Sequence, residues 1–464
     1  MQQYYLCRKS ARHRVRAHDV YTGVICNPMS LGMNIEQNVS RDLSSPMVSN
    51  ECGRRFSRWI VCQNGAREHY AIPRALARQQ VLDRMFTDFW VPPWSWLSCL
   101  PGGRRLRDRW HADLANAPVS SLGSRMLSFE LRQRLARRHG WPQVMERNRV
   151  FQEVTLGMLK RLEMNLQAPT TVFSYSYSAR DVFRFAKERG WQTVLGQIDP
   201  GPEEERIVAQ ESERYPKMGS KWSPAPDAYW DIWREELALA DRIIVNSEWS
   251  RQCLLKDGVP GEKLEVVPLV YGVTDASYPG EARSRKAAAS TGRYSGATMG
   301  HLPNDAERSR VLRVLFLGQI ILRKGVGRLL EAMRMLKDEP VELILAGPSM
   351  IDPSAWADLP NVRWIGPVPR GEVGKVYGNA DCFILPTLSD GYALTQLEAL
   401  SWGLPVIASK HCGSAVTHNR NGWILDDIEP ATISAAIGVA LRQTLPDIRP
   451  PEFSIDDLGA ALIR

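Results

Sequence analysis

The chain has 464 residues, which is too long for one ordinary hydrophobic core and predicts two or three domains. Its hydrophobic content of 44% and charged content of 24% are typical of a globular protein in water. No apolar run reaches the roughly 18 residues of a membrane-spanning helix, and the first fifty residues lack the apolar core of a secretory signal. The eight cysteines form no C-x-x-C pair, which disfavours a disulfide framework or a zinc site. We therefore expect a cytoplasmic protein.

Charge is distributed unevenly along the chain. Residues 1–150 hold 24 Lys and Arg against 11 Asp and Glu, a net charge of +13, whereas the rest of the chain has a net charge of −5. This asymmetry indicates that the first part meets something anionic, such as a membrane surface, a phosphorylated acceptor or nucleic acid. No RNA- or DNA-reading motif accompanies the charge, so we expect no nucleic-acid partner.

Alternating strand and helix patterns divide the chain into five parts. Residues 1–54 show no periodicity and predict a poorly ordered extension. Two blocks of βα alternation, 55–275 and 310–445, predict two doubly wound α/β domains with mainly parallel sheets. Residues 276–309, rich in Gly, Ala, Ser and charge, predict a linker or mobile insertion, and residues 446–464 a tail that packs back on the first domain.

The first domain opens with an apolar strand at Trp59–Cys62, a loop containing Gly65 and an Ala/Leu-rich helix. In this fold class the loop faces the ligand cleft, so Gly65 can be small because backbone approaches a bound group. Simple turn geometry explains the glycine equally well.

A basic, tryptophan-rich stretch follows in the same domain. Its aromatic and cationic residues are Trp90, Trp94, Trp96, Arg104, Arg105, Arg107 and Arg109. One interpretation is core tryptophans beside a solvated charge run. The other is peripheral docking on an anionic membrane that carries a lipid-linked acceptor.

Two loops of the second domain carry the candidate chemistry. In the first, a strand ends at Gly318, and Arg323-Lys324 precedes a helix whose N-terminus favours anions. In the second, Asp390 follows a buried strand, and Glu398 lies on the helix predicted over 393–402. Two carboxylates beside a helix N-terminus can accept hydrogen bonds from sugar and ribose hydroxyls.

Structural alternatives exist for both acidic residues. Thr395 and Glu398 have the spacing of a capping box, in which the glutamate returns to a backbone N–H. Asp390 before Gly391 also suits a turn.

The order of these motifs resembles the family-4 retaining glycosyltransferases of GT-B fold. The resemblance rests on "LGQIILRKG", "GPVPRGEVGKVYGNADCFILP" and "DGYALTQLEALSWGLPVIAS" in the second domain, and on Glu236–Val273 in the first. It spans roughly residues 55–440 and is weak before residue 230. It implies two Rossmann-like domains facing each other across a cleft, an acceptor site in the first and a nucleotide-sugar site in the second.

The resemblance also implies roles for individual residues. Asp390 would hold hydroxyls of the transferred sugar, and Lys324 and Arg323 would stabilise the departing diphosphate. Glu398 would hold the ribose of the donor. The implied donor-binding set is Gly65, Gly318, Gly391, Ala393, Leu394, Thr395 and Glu398.

The implied reaction moves a hexosyl unit from a nucleoside-diphosphate sugar to a glycan or lipid-linked acceptor. No D-x-D triplet is present, which suits a metal-independent enzyme without a further cofactor. The chain departs from the family pattern in having Asp390 where Glu is usual and Gln319 where Arg often follows the glycine. A non-catalytic GT-B-like protein that binds a nucleotide or glycan within an assembly complex is the alternative.

Overall fold

The computed structural model describes residues 58–95, 109–163, 170–218, 222–271, 311–413, 415–445 and 448–464. Two wholly parallel sheets form its framework. Several of their strands, such as Arg242–Val245, Val341–Ala346 and Cys382–Leu385, are runs of Val, Ile, Leu and Phe with few polar interruptions, as expected where helices cover both faces of a sheet. The predicted extension (1–54) and linker (276–309) lie outside the described residues.

The N-terminal sheet has the strand order β3-β2-β1-β4-β5-β6-β7. Its strands are β1 (Arg58–Gln63), β2 (Leu82–Thr87), β3 (Val119–Ser121), β4 (Thr170–Tyr175), β5 (Gln192–Gln197), β6 (Arg242–Val245) and β7 (Leu264–Val266). Its helices are α1 (Ala71–Arg78), α2 (Gly123–Leu135), α3 (Trp141–Glu163), α4 (Arg180–Lys187), α5 (Pro202–Arg214), α6 (Asp227–Leu239) and α7 (Glu248–Lys256).

The C-terminal sheet has the order β10-β9-β8-β11-β12-β13. Its strands are β8 (Leu312–Leu317), β9 (Val341–Ala346), β10 (Val362–Trp364), β11 (Cys382–Leu385), β12 (Val406–Ser409) and β13 (Gly422–Leu425). Its helices are α8 (Val326–Met335), α9 (Val373–Gly378), α10 (Leu394–Ser401) and α11 (Pro430–Arg442), and the last helix of the chain is α12 (Ile455–Leu462).

Both sheets are doubly wound, as the sequence predicted. In each, the strand order runs outward in one direction from the first strand and then reverses, which creates a switch point between β1 and β4 and between β8 and β11. Loops that leave the carboxyl ends of two such strands diverge and leave a crevice, where ligands of these folds bind.

The tail returns to the N-terminal sheet. Helix α12 begins with a capping box at Ser454 and Asp457, and its apolar residues pack with those of α1 in the core beneath β1. The carbonyl of Leu462 accepts a hydrogen bond of 2.7 Å from Arg242 of β6.

A buried carboxylate fastens α6 to α4. Glu236 of α6 has no exposed surface, and its carboxylate accepts hydrogen bonds from the backbone N–H groups of Tyr177, Ala179 and Arg180 at 2.6, 2.7 and 3.1 Å. These amides begin α4, where Ala179 supplies no side-chain cap. A side chain from another helix therefore accepts the hydrogen bonds of the N–H groups at the start of α4.

We predict that Glu236→Leu lowers the free energy of unfolding by about 3 kcal/mol or more, because three buried N–H groups lose their acceptor. Thermal unfolding of the purified protein measures this. The neighbouring Glu235 is the control, since its ion pair with Arg184 is partly exposed and Glu235→Gln should cost less than about 1 kcal/mol. Equal melting temperatures for the two variants would contradict the role of Glu236.

Candidate active site

The two candidate loops meet at the switch point of the C-terminal sheet. One leaves β8 through Gly318 and reaches Arg323 and Lys324 in a short 3-10 turn before α8. The other leaves β11 and reaches Asp390 before α10. Since β8 and β11 are adjacent and parallel, both loops emerge at the same edge.

Close backbone packing locks the loops together. Gly325 has a left-handed φ of 73°, and a Cβ atom there would lie 1.8 Å from the carbonyl oxygen of Pro386. The carbonyl of Arg323 accepts hydrogen bonds from the Leu388 N–H at 2.9 Å and the Thr387 hydroxyl at 3.2 Å. The glycine after Lys324 is therefore required both by conformation and by space.

Three of the predicted residues form one buried charge cluster. The ammonium of Lys324 forms an ion pair with the Asp390 carboxylate, and the Arg323 guanidinium lies 3.7 Å from the same carboxylate. Arg323 also donates a hydrogen bond of 2.8 Å to the carbonyl of Ser389. Burial acts to raise the pKa of Asp390, but the cations Lys324 and Arg323 outweigh it and hold the pKa below its ordinary value.

The N-terminal domain adds a carboxylate that the sequence patterns did not reveal. Glu204, in the first turn of α5, is 4% exposed and lies 3.4 Å from the Arg323 guanidinium. Burial raises the pKa of Glu204 to about 7, with Arg323 opposing the shift and Asp199 and Asp390 adding to it. The cation pair is thus approached by carboxylates from both sheets.

Two loops of the N-terminal sheet complete this side of the cluster. Tyr177, after β4, has a left-handed φ of 72°, and its hydroxyl donates a hydrogen bond of 2.6 Å to Asp199, after β5. Asp199 also accepts a hydrogen bond from the Gly201 N–H at the start of α5. These contacts fix the end of α5 that presents Glu204 to the cations.

The Asp390 loop is covered by the N-terminal domain. A Cβ atom on Gly391 would lie 2.3 Å from the carbonyl oxygen of Ile198, so only glycine fits there. The Trp249 indole of α7 donates a hydrogen bond of 3.1 Å to the Ser389 hydroxyl and packs on His411. The space beside Asp390 is therefore shaped by both domains.

Glu398 lies in a different set of contacts. Its carboxylate accepts a hydrogen bond of 2.8 Å from the Tyr377 hydroxyl, and Tyr271 and Arg370 lie near enough to interact with it electrostatically. Burial raises the pKa of Glu398, against the hydrogen bond from Tyr377 and the charge of Arg370. The sequence assigns four side chains to one donor site. Three of them, Arg323, Lys324 and Asp390, are in contact, and Glu398 occupies a neighbouring position on α10.

The capping-box interpretation of Glu398 is wrong. Helix α10 runs over Leu394–Ser401, and Ala393 is its N-cap, so Thr395 lies inside the helix and does not precede it. Ala393 provides no side-chain cap for the first amides of α10. The amides at Ala393, Leu394 and Thr395 therefore begin a helix whose positive end lies between Asp390 and Glu398.

The Gly65 loop faces the C-terminal domain. Its N–H donates a hydrogen bond of 3.0 Å to Asp88, a fully buried carboxylate that also binds Arg109 and Arg147. Beyond it, Glu68, His69 and Tyr70 are consecutive residues with left-handed φ values of 51°, 52° and 61°. The His69 ring lies 2.7 Å from the guanidinium of Arg370, the residue near Glu398.

His69 was not singled out from the sequence. The side chain of Glu68 accepts a hydrogen bond of 3.2 Å from the Tyr175 hydroxyl. Non-glycine residues in left-handed conformations cost energy and persist where the surroundings over-determine them, which is common at functional sites. A short stretch without regular periodicity gave no signal for this geometry.

The tryptophan-rich stretch is partly structural. Trp90 packs edge-on against Tyr70, and Arg109 is bound to Asp88. Trp94 is 76% exposed. Trp96, Arg104, Arg105 and Arg107 lie outside the described residues.

The described ranges contain no cluster of three His, Cys, Asp or Glu side chains arranged to bind a metal ion. Among the helices that the structure describes, none has the length and apolar character that crossing a bilayer requires.

We predict that Glu204 makes stability depend on pH. Its pKa is about 7 in the folded protein and close to the ordinary 4.5 when unfolded, so the unfolded carboxyl loses its proton first. The free energy of unfolding should therefore fall as pH rises from about 4.5 to 7. Glu204→Gln should remove that part of the slope in thermal unfolding measured across this range.

The adjacent Glu203 is the matched control for that experiment. Burial acts to raise its pKa, but Lys256 and Arg206 outweigh it and lower the pKa. Glu203 therefore contributes stability that is lost as pH falls through its folded pKa, so Glu203→Gln should change the acid side of the profile. An unchanged slope in Glu204→Gln would show that Glu204 is ionised in the folded protein throughout this range.

Comparison with known proteins agrees with this geometry. Residues 312–443 match the family described as "Glycosyl transferases group 1". The chain is 30% identical over 155 residues to the amylovoran biosynthesis glycosyltransferase AmsK of Erwinia amylovora, covering 30% of this chain and 38% of that protein. It is 29% identical over 231 residues to a D-inositol 3-phosphate glycosyltransferase of Kineococcus radiotolerans, covering 44% and 49%. The chain thus spans less than half the length of each of these relatives.

Among solved structures, the chain resembles the N-terminal domain of the trehalose-6-phosphate phosphatase of Candida albicans. The TM-score is 0.52 at 13% sequence identity, covering 89% of this chain and 93% of that one. This likeness concerns the fold, and it confirms the prediction of two Rossmann-like domains in a GT-B arrangement. The segment that matches the glycosyl transferases group 1 family, residues 312–443, therefore holds the cluster of Arg323, Lys324 and Asp390, and it lies in a chain with a GT-B fold.

Proposed function

We propose that this chain is a retaining, metal-independent glycosyltransferase of family 4. It would move a hexosyl unit from a nucleoside-diphosphate sugar to a glycan or lipid-linked acceptor. The observation that carries the proposal is the meeting of Arg323, Lys324 and Asp390 at the switch point of the group 1 domain. A cytoplasmic location stays a prediction from the sequence.

Lys324 and Arg323 are suited to bind the diphosphate of the donor. Transfer breaks the bond between the anomeric carbon and the diphosphate, so negative charge develops on the departing phosphate oxygen. Two buried cations beside the N-terminus of α10 can stabilise that charge without a metal ion, because donors fixed in place before the reaction need no reorganisation.

Asp390 is placed to bind the sugar next to the diphosphate. In the structure the carboxylate of Asp390 is the partner of Lys324. An incoming diphosphate provides Lys324 with a second anionic partner, which leaves carboxylate oxygens of Asp390 available to accept hydrogen bonds from sugar hydroxyls. The shorter side chain of Asp390, relative to the usual Glu, is compatible with this role because its neighbours are held by both domains: Arg323 binds the Ser389 carbonyl, and Gly391 lies against Ile198.

Glu398 is suited to bind the ribose of the nucleotide. It lies on α10 beyond the helix start, half-buried, with one oxygen bonded to Tyr377. A carboxylate oriented by a tyrosine hydroxyl can accept hydrogen bonds from two neighbouring hydroxyl groups. Residues near Ala393–Thr395 would bind phosphate between Glu398 and Asp390.

The donor and acceptor can be identified by measuring nucleotide release across a panel of nucleoside-diphosphate sugars and glycan or lipid-linked acceptors. Turnover with retained anomeric configuration and in the presence of a metal chelator supports the proposal. A rise in melting temperature with a nucleotide sugar, but no transfer with any acceptor, supports the alternative of a non-catalytic binding protein.

We predict that Lys324→Met lowers kcat by about 100-fold to 1000-fold, because the departing diphosphate loses a preorganised cation. Nucleotide-release kinetics measure the change. Lys337→Met, at an exposed lysine after α8, is the control and should keep the wild-type rate. A wild-type kcat in Lys324→Met would exclude Lys324 from leaving-group stabilisation.

We predict that Glu398→Gln raises KM for the donor about tenfold, because a charge-assisted hydrogen bond to a ribose hydroxyl is weakened. Its melting temperature should remain close to that of the wild type without ligand. If the variant instead loses stability and keeps its KM, Glu398 acts through Tyr377 on the packing of α9 and α10 and does not bind the donor.

A further inference from the structure

Helix α2 exposes a row of leucines on the N-terminal domain. Leu127, Leu131 and Leu135 are 52%, 51% and 85% exposed. Their spacing of four residues places them on one face of the helix. The buried face is separate and consists of Met126, Phe129 and Gln133. A row of three exposed leucines is unusual because solvent-facing positions of a helix normally carry polar side chains.

Arginines surround the leucine row. The exposed arginines of α2 and the residues just after it are Arg125, Arg132, Arg134, Arg137 and Arg138. None of the five forms an ion pair with a carboxylate in the part of the chain that the structure describes. Glu130, the one acidic residue of α2, is turned towards Arg147 at 3.2 Å. The exposed surface of α2 is therefore both apolar and strongly basic.

A groove adjoins this surface between α2 and α3. It has a volume of about 490 Å³, and Arg125, Arg132 and Arg138 contribute to its lining. The acidic residues of the groove, Glu146 and Glu153, are both paired with Arg149. The groove consequently offers guanidinium groups to an anion of the size of a phosphate-bearing headgroup.

We propose that α2 and the residues that follow it, Gly123–Gly140, dock the protein on an anionic phospholipid surface. The leucine row would enter the boundary between headgroups and acyl chains, while the arginines bind lipid phosphates. This surface differs from the tryptophan-rich stretch considered from the sequence. The proposal goes beyond the transfer reaction and does not rest on it, because membrane binding is measured without donor or acceptor.

The combination of residues favours a membrane over other anionic partners. A nucleic-acid backbone pairs with arginines but offers nothing to three exposed leucines. A second copy of this chain, docked through the same face, would bring two sets of five arginines together, while the nearby carboxylates are already paired with Arg147 and Arg149. A lipid bilayer with anionic headgroups satisfies both the apolar and the cationic groups.

The test is co-sedimentation of the full chain with vesicles of phosphatidylcholine containing 30% phosphatidylglycerol, compared with pure phosphatidylcholine, at low and high salt. We expect binding to the anionic vesicles that weakens as salt rises. The triple variant Leu127→Ser, Leu131→Ser, Leu135→Ser should lower the vesicle partition coefficient at least tenfold. The triple variant Arg134→Gln, Arg137→Gln, Arg138→Gln should lower it by about fivefold for each arginine removed.

Two single variants serve as controls. Met335→Ser removes an exposed apolar side chain from α8 of the other domain, and Trp94→Ser removes the exposed side chain of the tryptophan-rich stretch. Both should bind vesicles like the wild type. Because all substituted side chains are exposed, melting temperatures should be unchanged, and nucleotide release with a water-soluble acceptor should not differ among the variants.

Several outcomes would overturn the proposal. Binding of the leucine variant at the wild-type level would exclude α2 as the inserted face. Loss of binding in Trp94→Ser alone would assign docking to the other surface. Equal binding to neutral vesicles would exclude headgroup recognition. Concentration-dependent self-association that the leucine variant abolishes, without vesicle binding by the wild type, would identify α2 as a contact between copies of the chain.

Discussion

The buried guanidinium of Arg323 is the group on which the candidate site depends. A buried charge is stable only when it is paired and hydrogen-bonded, and Arg323 meets this requirement with groups from two domains. Within its own domain it binds the Ser389 carbonyl and approaches Asp390, and across the domain boundary it approaches Glu204. The same residue therefore aligns the two loops of the C-terminal sheet and connects them to α5. A change in the charge of Asp390 or Glu204 would therefore change the net charge that an anionic donor meets at this site.

A second set of ion pairs repeats this connection nearer the C-terminal end of α5. Arg328 of α8 binds Glu211 of α5 at 2.7 Å and Glu429 before α11, and Arg214 also binds Glu429. Tyr215, after α5, packs in the core of the C-terminal domain. Helix α5 thus lies between two strands of the N-terminal sheet in the sequence, but many of its side-chain contacts are with the C-terminal domain. Its position determines where Glu204 and Asp199 meet the cations.

Features that arise within one sheet could be predicted from the sequence. The meeting of Lys324 and Asp390 follows from the carboxyl ends of β8 and β11, which are adjacent and parallel. Glu204 was not accessible, because "GPEEER" is also the pattern of an ordinary helix start with acidic residues near its positive end. Trp249 and His69 were missed for a different reason, since their contacts with Ser389 and Arg370 arise only when the two domains pack together.

The sequence also could not decide which face of α2 is buried. Met126 and Phe129 form one apolar row and Leu127, Leu131 and Leu135 another, and each has helical periodicity. Only the position of α3 selects the first row for the interior. The capping-box spacing at Thr395 failed through a similar ambiguity, because the true start of α10 lies at Leu394, one residue before the threonine.

The return of the tail to the N-terminal sheet has a consequence for the stability of that sheet. The helix that precedes the tail, α11, belongs to the C-terminal sheet, whereas α12 packs on α1. Loss of α12 would expose apolar side chains of α1 and of the core beneath β1, and Arg242 would lose the Leu462 carbonyl as an acceptor. Removing α12 should therefore destabilise the part of the protein that is built from the first strand and helix of the described chain.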